Sequence, residues 1–416
     1  MHDIRLKGFK KYNRIDDVLP NFLKKIQELP FETILTENSL KRIVASDIIS
    51  PVNVPHFSRS AMDGFAIRSE APFGASPNSP KTFKLVGKLR ASETSSVGIS
   101  TGEVIQIATG SSIPPNADAV IKLENTKRLD DQIEIYFPVT PGQNVSQIGE
   151  DIEKGNLLLS KGHSIRPQDI PLLLECSIKE LNVIKKPKVA IFPTGSELVH
   201  AGSPPEIGKI IETNSYAIAA FSEIYGAQPF RFDIVPDDQI LLQKAIEKGK
   251  MYDILVFSGG TSVGEYDLLP SVIQSHQNGR IIAHGFAMRP GSPTAIGFID
   301  SKPIFCLPGF PVATMISFEV FVGPTIRTML GAQKLDIKPL IYAELSKNIP
   351  SELGRRDFIR VSLEFQENKI YATPTRLKGS TLISSLVKSD GIVEIPENVE
   401  GLEKGMMVPV RLFPIW

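Results

Sequence analysis

The clearest hydrophobic pattern begins near residue 186. PKVAIF (187–192), DILVF (253–257) and PIFC (303–306) are short, nearly continuous apolar runs, each followed by a turn rich in Gly or Pro. Such runs predict strands buried on both faces. Between them, NSYAIAAFSEIYG (214–226) and DDQILLQKAIEKGK (237–250) read as helices. Gly226 stops the first, and the second opens on acidic residues, where the helix dipole favours them. FRFDIV (230–235), RIIAHGFAM (280–288) and TAIGFI (294–299) add strands, and FPVATMISFEVFVGPTIRTMLG (310–331) predicts a long apolar helix. Strands alternating with helices predict a doubly wound, mostly parallel α/β domain over residues 186–332.

The flanks follow other periods. Residues 15–30 and NSLKRIVASDI (38–48) predict a helical N-terminal domain, with RPQDIPLLLECS (166–177) as a further helix opened near Pro167. Residues 51–147 change to short alternating runs such as FKLVGKL, EVIQIATG and QIEIYFPV, a β-rich pattern. The expected division is a discontinuous helical domain (1–50 and 148–185), a β-rich insertion (51–147), the α/β domain (186–332) and a C-terminal β-barrel (333–416), although the alternation of the last segment also suits a sandwich.

Composition narrows the function. Lys+Arg and Asp+Glu both number 46, so a general nucleic-acid binder, which needs a basic excess, is disfavoured. A membrane span needs about 18 successive apolar residues, and no such run occurs. Cys176 and Cys306 lie far apart in apolar contexts, which suits buried thiols and a reducing cytoplasm.

Three loops at predicted strand ends carry the candidate chemistry: PTGSE (193–197), SGGTSVGEYD (258–267) and LPGFP (307–311). In an open parallel sheet, ligands bind at the carboxyl ends of the strands. Glycine lets backbone N–H groups approach a ligand and form an anion nest. Phosphate or another oxyanion is therefore expected beside Thr194, Gly195, Ser258, Gly259, Gly260, Ser262, Gly264, Pro308 and Gly309. Glu197, Asp237 and Asp267 fall at the same ends and would repel an anion unless a cation such as Mg²⁺ stands between. Helix capping is the competing role, strongest for Asp237 and Asp267. No GxxxxGK[ST], GxGxxG or HExxH motif occurs, and His284 reads as structural.

These loops, together with SAMDGFA (60–66), IATGSSIPPNADAVIKLE (107–124), GEDI (149–152), RPGSP (289–293) and GS (379–380), resemble in order the motifs of the molybdopterin molybdenumtransferases, the MoeA proteins and the gephyrin E domain. The resemblance implies an enzyme of molybdenum cofactor biosynthesis. Its members use Mg²⁺ and molybdate, cleave the phosphoanhydride of adenylylated molybdopterin and release AMP. It further implies a homodimer with an inter-subunit site, and a molybdopterin adenylyltransferase or acceptor apo-enzymes as partners. Carried over residue by residue, it assigns catalytic roles to Asp63, Thr109, Asp151, Glu197, Asp237 and Asp267. The last three would hold the metal, and Asp63 and Thr109 would reach the cleft of the other subunit. Arg289, Arg360 and Ser380 would contact substrate. The chain departs from the family at Gly285, Arg289 and Ser292, where lysines are common, and at Ser196, where Asp is. A tungstate-inserting paralogue and a non-catalytic molybdopterin-binding scaffold are therefore the alternatives.

Overall fold

A computed structural model describes residues 11–91, 93–204, 206–260, 268–375 and 382–413. The central sheet has six strands in the order Gln228–Arg231, Lys188–Pro193, Ile254–Ser258, Lys302–Leu307, Ala295–Ile299 and Gly279–His284. The first four run parallel. Ala295–Ile299 runs against both of its neighbours, so Gly279–His284 again points the same way as the first four, and the sheet is mixed with one reversed strand.

Alternation along these strands loads both faces. Val189, Ile191, Ile254, Val256, Phe305 and Leu307 pack towards the helices Asn214–Ile224 and Pro311–Ser317. Ala190, Phe192, Leu255, Phe257 and Cys306 pack towards Gln239–Gly249 and Leu269–Ser275. Both faces are covered, which is why these strands read as continuous apolar runs. The expected long helix over 310–331 is interrupted: a π-helical stretch, Phe318–Val322, separates Pro311–Ser317 from Gly323–Met329. Gly323 lies against the Tyr225 ring, where an added Cβ would come within 2.5 Å.

The N-terminal expectation needs correction. Helix forms at Ile15–Leu23 and Asp169–Glu175, but short paired strands take up about as much of the region, so it is not a helical domain. Phe31–Leu35 pairs with Glu180–Ile184, and Ile48–Ile49 with Leu157–Leu159. The segment NSLKRIVASDI is not a helix. Ile43 and Val44 are adjacent, β-branched and both buried, and their backbones bridge to Ser164 and Val183. Their backbone groups find partners in segments distant in sequence, and β-branched side chains favour that extended form. The residues between these segments build a six-stranded sheet in the order Ala119–Lys122, Gly64–Ile67, Glu103–Ile107, Lys81–Leu89, Gln132–Ile135 and Thr126–Leu129.

At the C-terminus, Leu340–Leu345, Arg356–Gln366, Lys369–Pro374, Gly391–Ile395 and Met407–Leu412 form a five-stranded barrel. Pairing of Arg356–Gln366 with Gly391–Ile395 closes it, so the barrel rather than the sandwich is the outcome. Met288–Arg289 adds in parallel beside Arg356 and Asp357, stitching the barrel to the segment that follows the sheet edge. No helix among the described residues is long and apolar enough to cross a membrane.

Candidate active site

The parallel strands Lys188–Pro193, Ile254–Ser258 and Lys302–Leu307 are neighbours and end together, so their loops converge. A cavity of about 510 Å³ opens there, lined by Thr194, Glu197, Ser258, Gly259, Gly260, Pro308 and Gly309 together with Leu198, Ile210, Pro293 and Phe310. This is the size range of a small-molecule site.

Backbone bonds set the loop positions. Thr194 N–H donates to the Ser258 carbonyl at 2.9 Å, and Gly259 N–H to the Leu307 carbonyl at 2.9 Å. Glycine is demanded at 259: φ is +112°, and an added Cβ would stand 2.2 Å from the Thr194 carbonyl oxygen. Gly195 makes room for the Glu197 carboxylate, whose Oε1 would lie 2.7 Å from a Cβ at that position.

Asp237 comes to the same corner. Its Oδ2 accepts from Ser196 N–H at 3.2 Å, and its own N–H donates to Ser196 Oγ at 3.2 Å. The cap of helix Gln239–Gly249 is Asp238, which accepts from Leu241 N–H at 2.9 Å, so Asp237 is not the capping residue. Asp267, Ser262, Gly264 and Ser380 lie outside the described residues.

Asn214 is a cavity residue that sequence reasoning missed. Its Nδ2 donates to Ser258 Oγ at 2.9 Å and to the Gly309 carbonyl at 2.7 Å, bridging two strand tips from the start of a helix. The only sequence signal was a polar Thr-Asn pair ahead of an apolar helical run. Glu212, also lining, accepts from Ser215 N–H and Oγ, both at 2.7 Å, and is thereby occupied with its own helix start.

Other predicted residues are placed elsewhere. Asp63 and Thr109 meet in the β-rich insertion, where Thr109 N–H and Oγ1 donate to Asp63 Oδ1 at 2.7 and 3.0 Å. The backbone donor first, and then the hydroxyl, hold the Asp63 carboxyl below its ordinary range. Asp151 is exposed, with its N–H donating to the Val54 carbonyl at 3.1 Å. None of the three lines this chain's strand-tip cavity. Arg289 points to the barrel and pairs with the fully buried Asp357, which also accepts from Ser351 Oγ at 2.9 Å. Arg360 is buried within the barrel strand. Neither arginine lines the cavity.

Among the described residues, no three His, Cys, Asp or Glu side chains gather as a metal cage. Glu197 and Asp237 nonetheless offer two hard oxygen ligands on adjoining strand-end loops. Magnesium commonly takes one or two carboxylates and completes its shell with water and phosphate oxygens, so this donor set suits it when a phosphorylated ligand is present.

Three family profiles tile the chain: the MoeA N-terminal region, domains I and II, over residues 12–177; a probable molybdopterin binding domain over 190–328; and the MoeA C-terminal region, domain IV, over 342–413. The chain belongs to the MoeA family. A Methanocaldococcus jannaschii protein named for molybdopterin biosynthesis, without a stated activity, is 37% identical over 420 residues, covering 96% of this chain and 99% of that one. A Staphylococcus aureus molybdopterin molybdenumtransferase is 32% identical over 403 residues, covering 96% and 95%. The crystal structure of the MoeA protein from Pyrococcus horikoshii OT3 superposes with a TM-score of 0.85 at 33% identity, covering 97% of this chain and all of that one. The residues lining the strand-tip cavity, 194 to 311, all fall within the span matched by the probable molybdopterin binding domain.

Proposed function

We propose that this MoeA-family chain inserts molybdenum into molybdopterin. It would take adenylylated molybdopterin and molybdate, split the phosphoanhydride and release AMP. The observation that carries this reading is the cavity at three adjoining parallel strand tips, floored by glycine-bearing backbone and flanked by Glu197 and Asp237. A diphosphate can lie close to such a floor because no side chain intervenes. The apolar wall formed by Leu198, Ile210 and Phe310 suits a flat heterocycle.

Glu197 and Asp237, with Asp267, would hold Mg²⁺, which when bound would neutralise charge on the diphosphate as its bridging bond breaks. Asn214 fixes the spacing of the Ser258 and Gly309 tips, so the two ends of the ligand meet a rigid floor. Ser196 orients Asp237 through their paired bonds. Asp63, Thr109 and Asp151 act, in this reading, from the second subunit of a homodimer. Arg360 and Ser380 belong to the oxyanion-binding side. Arg289 is already engaged by Asp357, so its main work is to hold the barrel against the central domain.

The test is AMP release from adenylylated molybdopterin by the purified chain with Mg²⁺ and with molybdate and tungstate in parallel. Glu197→Gln and Asp237→Asn should each lower release by about a hundredfold or more while leaving circular dichroism unchanged. Ligand binding without any release by the wild-type chain would instead favour the non-catalytic scaffold. Faster release with tungstate would favour the tungstate-inserting paralogue.

A further inference from the structure

The end of the central sheet opposite the strand-tip cavity carries another opening, of about 550 Å³. It lies beside the strands Gly279–His284 and Ala295–Ile299 and the turn at Asp300 and Ser301. Strand Lys302–Leu307 starts from that turn and ends at the strand-tip cavity, so its 6 residues hold the two sites roughly 20 Å apart. Partly buried Ile282 and Phe298 give the opening an apolar floor, and Lys25 and Arg280 are the cations that line it.

The lining converges on the Phe298 ring. The Phe22 ring stacks on it with centroids 4.6 Å apart and planes at 27°. Lys25 N–H donates to the Phe22 carbonyl at 3.0 Å, so the turn that delivers the stacking ring also delivers Lys25. Arg280 is the direct cross-strand partner of Phe298, and residues paired in this way share a face with their Cβ atoms about 5 Å apart. Both cations are exposed, and neither side chain has a partner among the described residues. The carboxylate in the lining, Asp300, is already engaged: it accepts from Lys250 Nζ at 2.6 Å and from Asn278 Nδ2 at 2.7 Å. The Lys250 ammonium first, and then the Asn278 amide, hold the Asp300 carboxyl below its ordinary range. Two unpaired positive charges therefore flank an aromatic surface, and among the described residues no free acid in the lining opposes an anion there.

We propose that this opening binds a small aromatic phosphate monoester. The ligand ring lies against Phe298 and Ile282, and its phosphate reaches Arg280 and Lys25. A phosphate monoester carries about two negative charges and three terminal oxygens, enough for the Arg280 fork and the Lys25 ammonium together. An aromatic carboxylate brings a single charge and two oxygens, so it serves one cation well and the other poorly. A phosphate without a ring leaves the Phe298 surface wet. The volume is that of a small-molecule site. Because the opening is separate from the strand-tip cavity, its standing does not depend on the proposed transfer reaction.

The experiment is calorimetric titration of the full chain with phenyl phosphate, methyl phosphate and benzoate, at low ionic strength and in the presence of EDTA. EDTA withholds the cation that Glu197 and Asp237 need before they can tolerate a phosphate, which keeps the probes out of the strand-tip cavity. Phenyl phosphate should bind saturably, with a dissociation constant on the order of 1 mM. Methyl phosphate, which lacks the ring, and benzoate, which lacks the second charge, should each bind at least about fivefold more weakly. Arg280→Gln and Lys25→Gln change exposed side chains that have no partners, so both chains should fold, and each should bind phenyl phosphate at least about fivefold more weakly than the wild type. Methyl phosphate or benzoate binding as tightly as phenyl phosphate overturns the proposal, and so does unchanged affinity in either variant. The lack of saturable phenyl phosphate binding up to about 20 mM overturns it as well, since the two cations would then be no more than a solvated surface pair.

Discussion

Gly259 and Gly260 stand side by side at the rim of the strand-tip cavity, and alanine at each should have different consequences. At 259, φ is +112°, outside the region that L-residues adopt comfortably, and the new Cβ would stand 2.2 Å from the Thr194 carbonyl oxygen and 2.9 Å from Thr194 Oγ1. Thr194 cannot retreat easily, because its N–H is bonded to the Ser258 carbonyl and its segment is registered along the neighbouring strand. The loop must move instead, which strains the bond from Gly259 N–H to the Leu307 carbonyl. Backbone strain of about 2 kcal/mol plus about 1 kcal/mol for the weakened bond gives a cost of about 3 kcal/mol. At 260, φ is +62° and the nearest atom to an added Cβ is 3.5 Å away. Only the left-handed backbone cost remains there, about 1 kcal/mol. Native-state hydrogen exchange of the Ile254–Ser258 amides reads the difference. Protection should fall about 150-fold in Gly259→Ala and about fivefold in Gly260→Ala. Equal losses in the two variants would refute the idea that close approach to Thr194, rather than left-handed backbone alone, is what demands glycine at 259. Activity could not decide this, since both residues border the cavity.

Three further outcomes are expected. Asp169 is almost fully buried, and burial opposes its charged form. Hydrogen bonds from the Arg166 side chain, His163 and the Arg166 N–H outweigh that and bring its pKa to about 2. A depressed carboxylate pKa stabilises the fold above the unfolded value near 3.8 and ceases to do so as pH falls through about 2. Asp169→Asn should therefore cost about 2 kcal/mol at pH 7 and nearly nothing near pH 2, and a pH-independent cost in urea titrations would contradict the assignment. Arg289→Ala removes a cation from the fully buried Asp357 and should destabilise the barrel junction by about 3 kcal/mol, seen as earlier proteolytic cleavage next to residue 289; unchanged proteolysis would show that Ser351 and Arg355 suffice. Ser196→Ala deletes the hydroxyl that receives the Asp237 N–H, and AMP release should fall about tenfold if orientation of Asp237 matters; unaltered release would remove Ser196 from the site.

The central α/β unit was open to sequence reasoning because its signals are local. Each buried strand is an unbroken apolar run, Asp238 and Gly226 punctuate helices within a few residues, and the glycines mark where a backbone must come close. The family motifs are equally local, and the matched profiles agree with them. What lay beyond reach depends on partners distant in the chain. The segment 38–48 has residues compatible with a helix, and it became extended because its backbone bonds to residues 163–165 and 182. The reversal of the single strand Ala295–Ile299 depends on which neighbours it meets. Arg289 reads as a cation poised for phosphate until Asp357, 68 positions away, is found beside it. Asn214 joins the site only because two strand tips converge on its amide. Sequence alone therefore settled the buried strands and flanking helices of the central unit and which loops must stay bare, since propensity and sterics act over a few residues. Tertiary structure decided which charges are already paired and which polar atoms are left unpaired, since these depend on burial and long-range pairing that no local window contains.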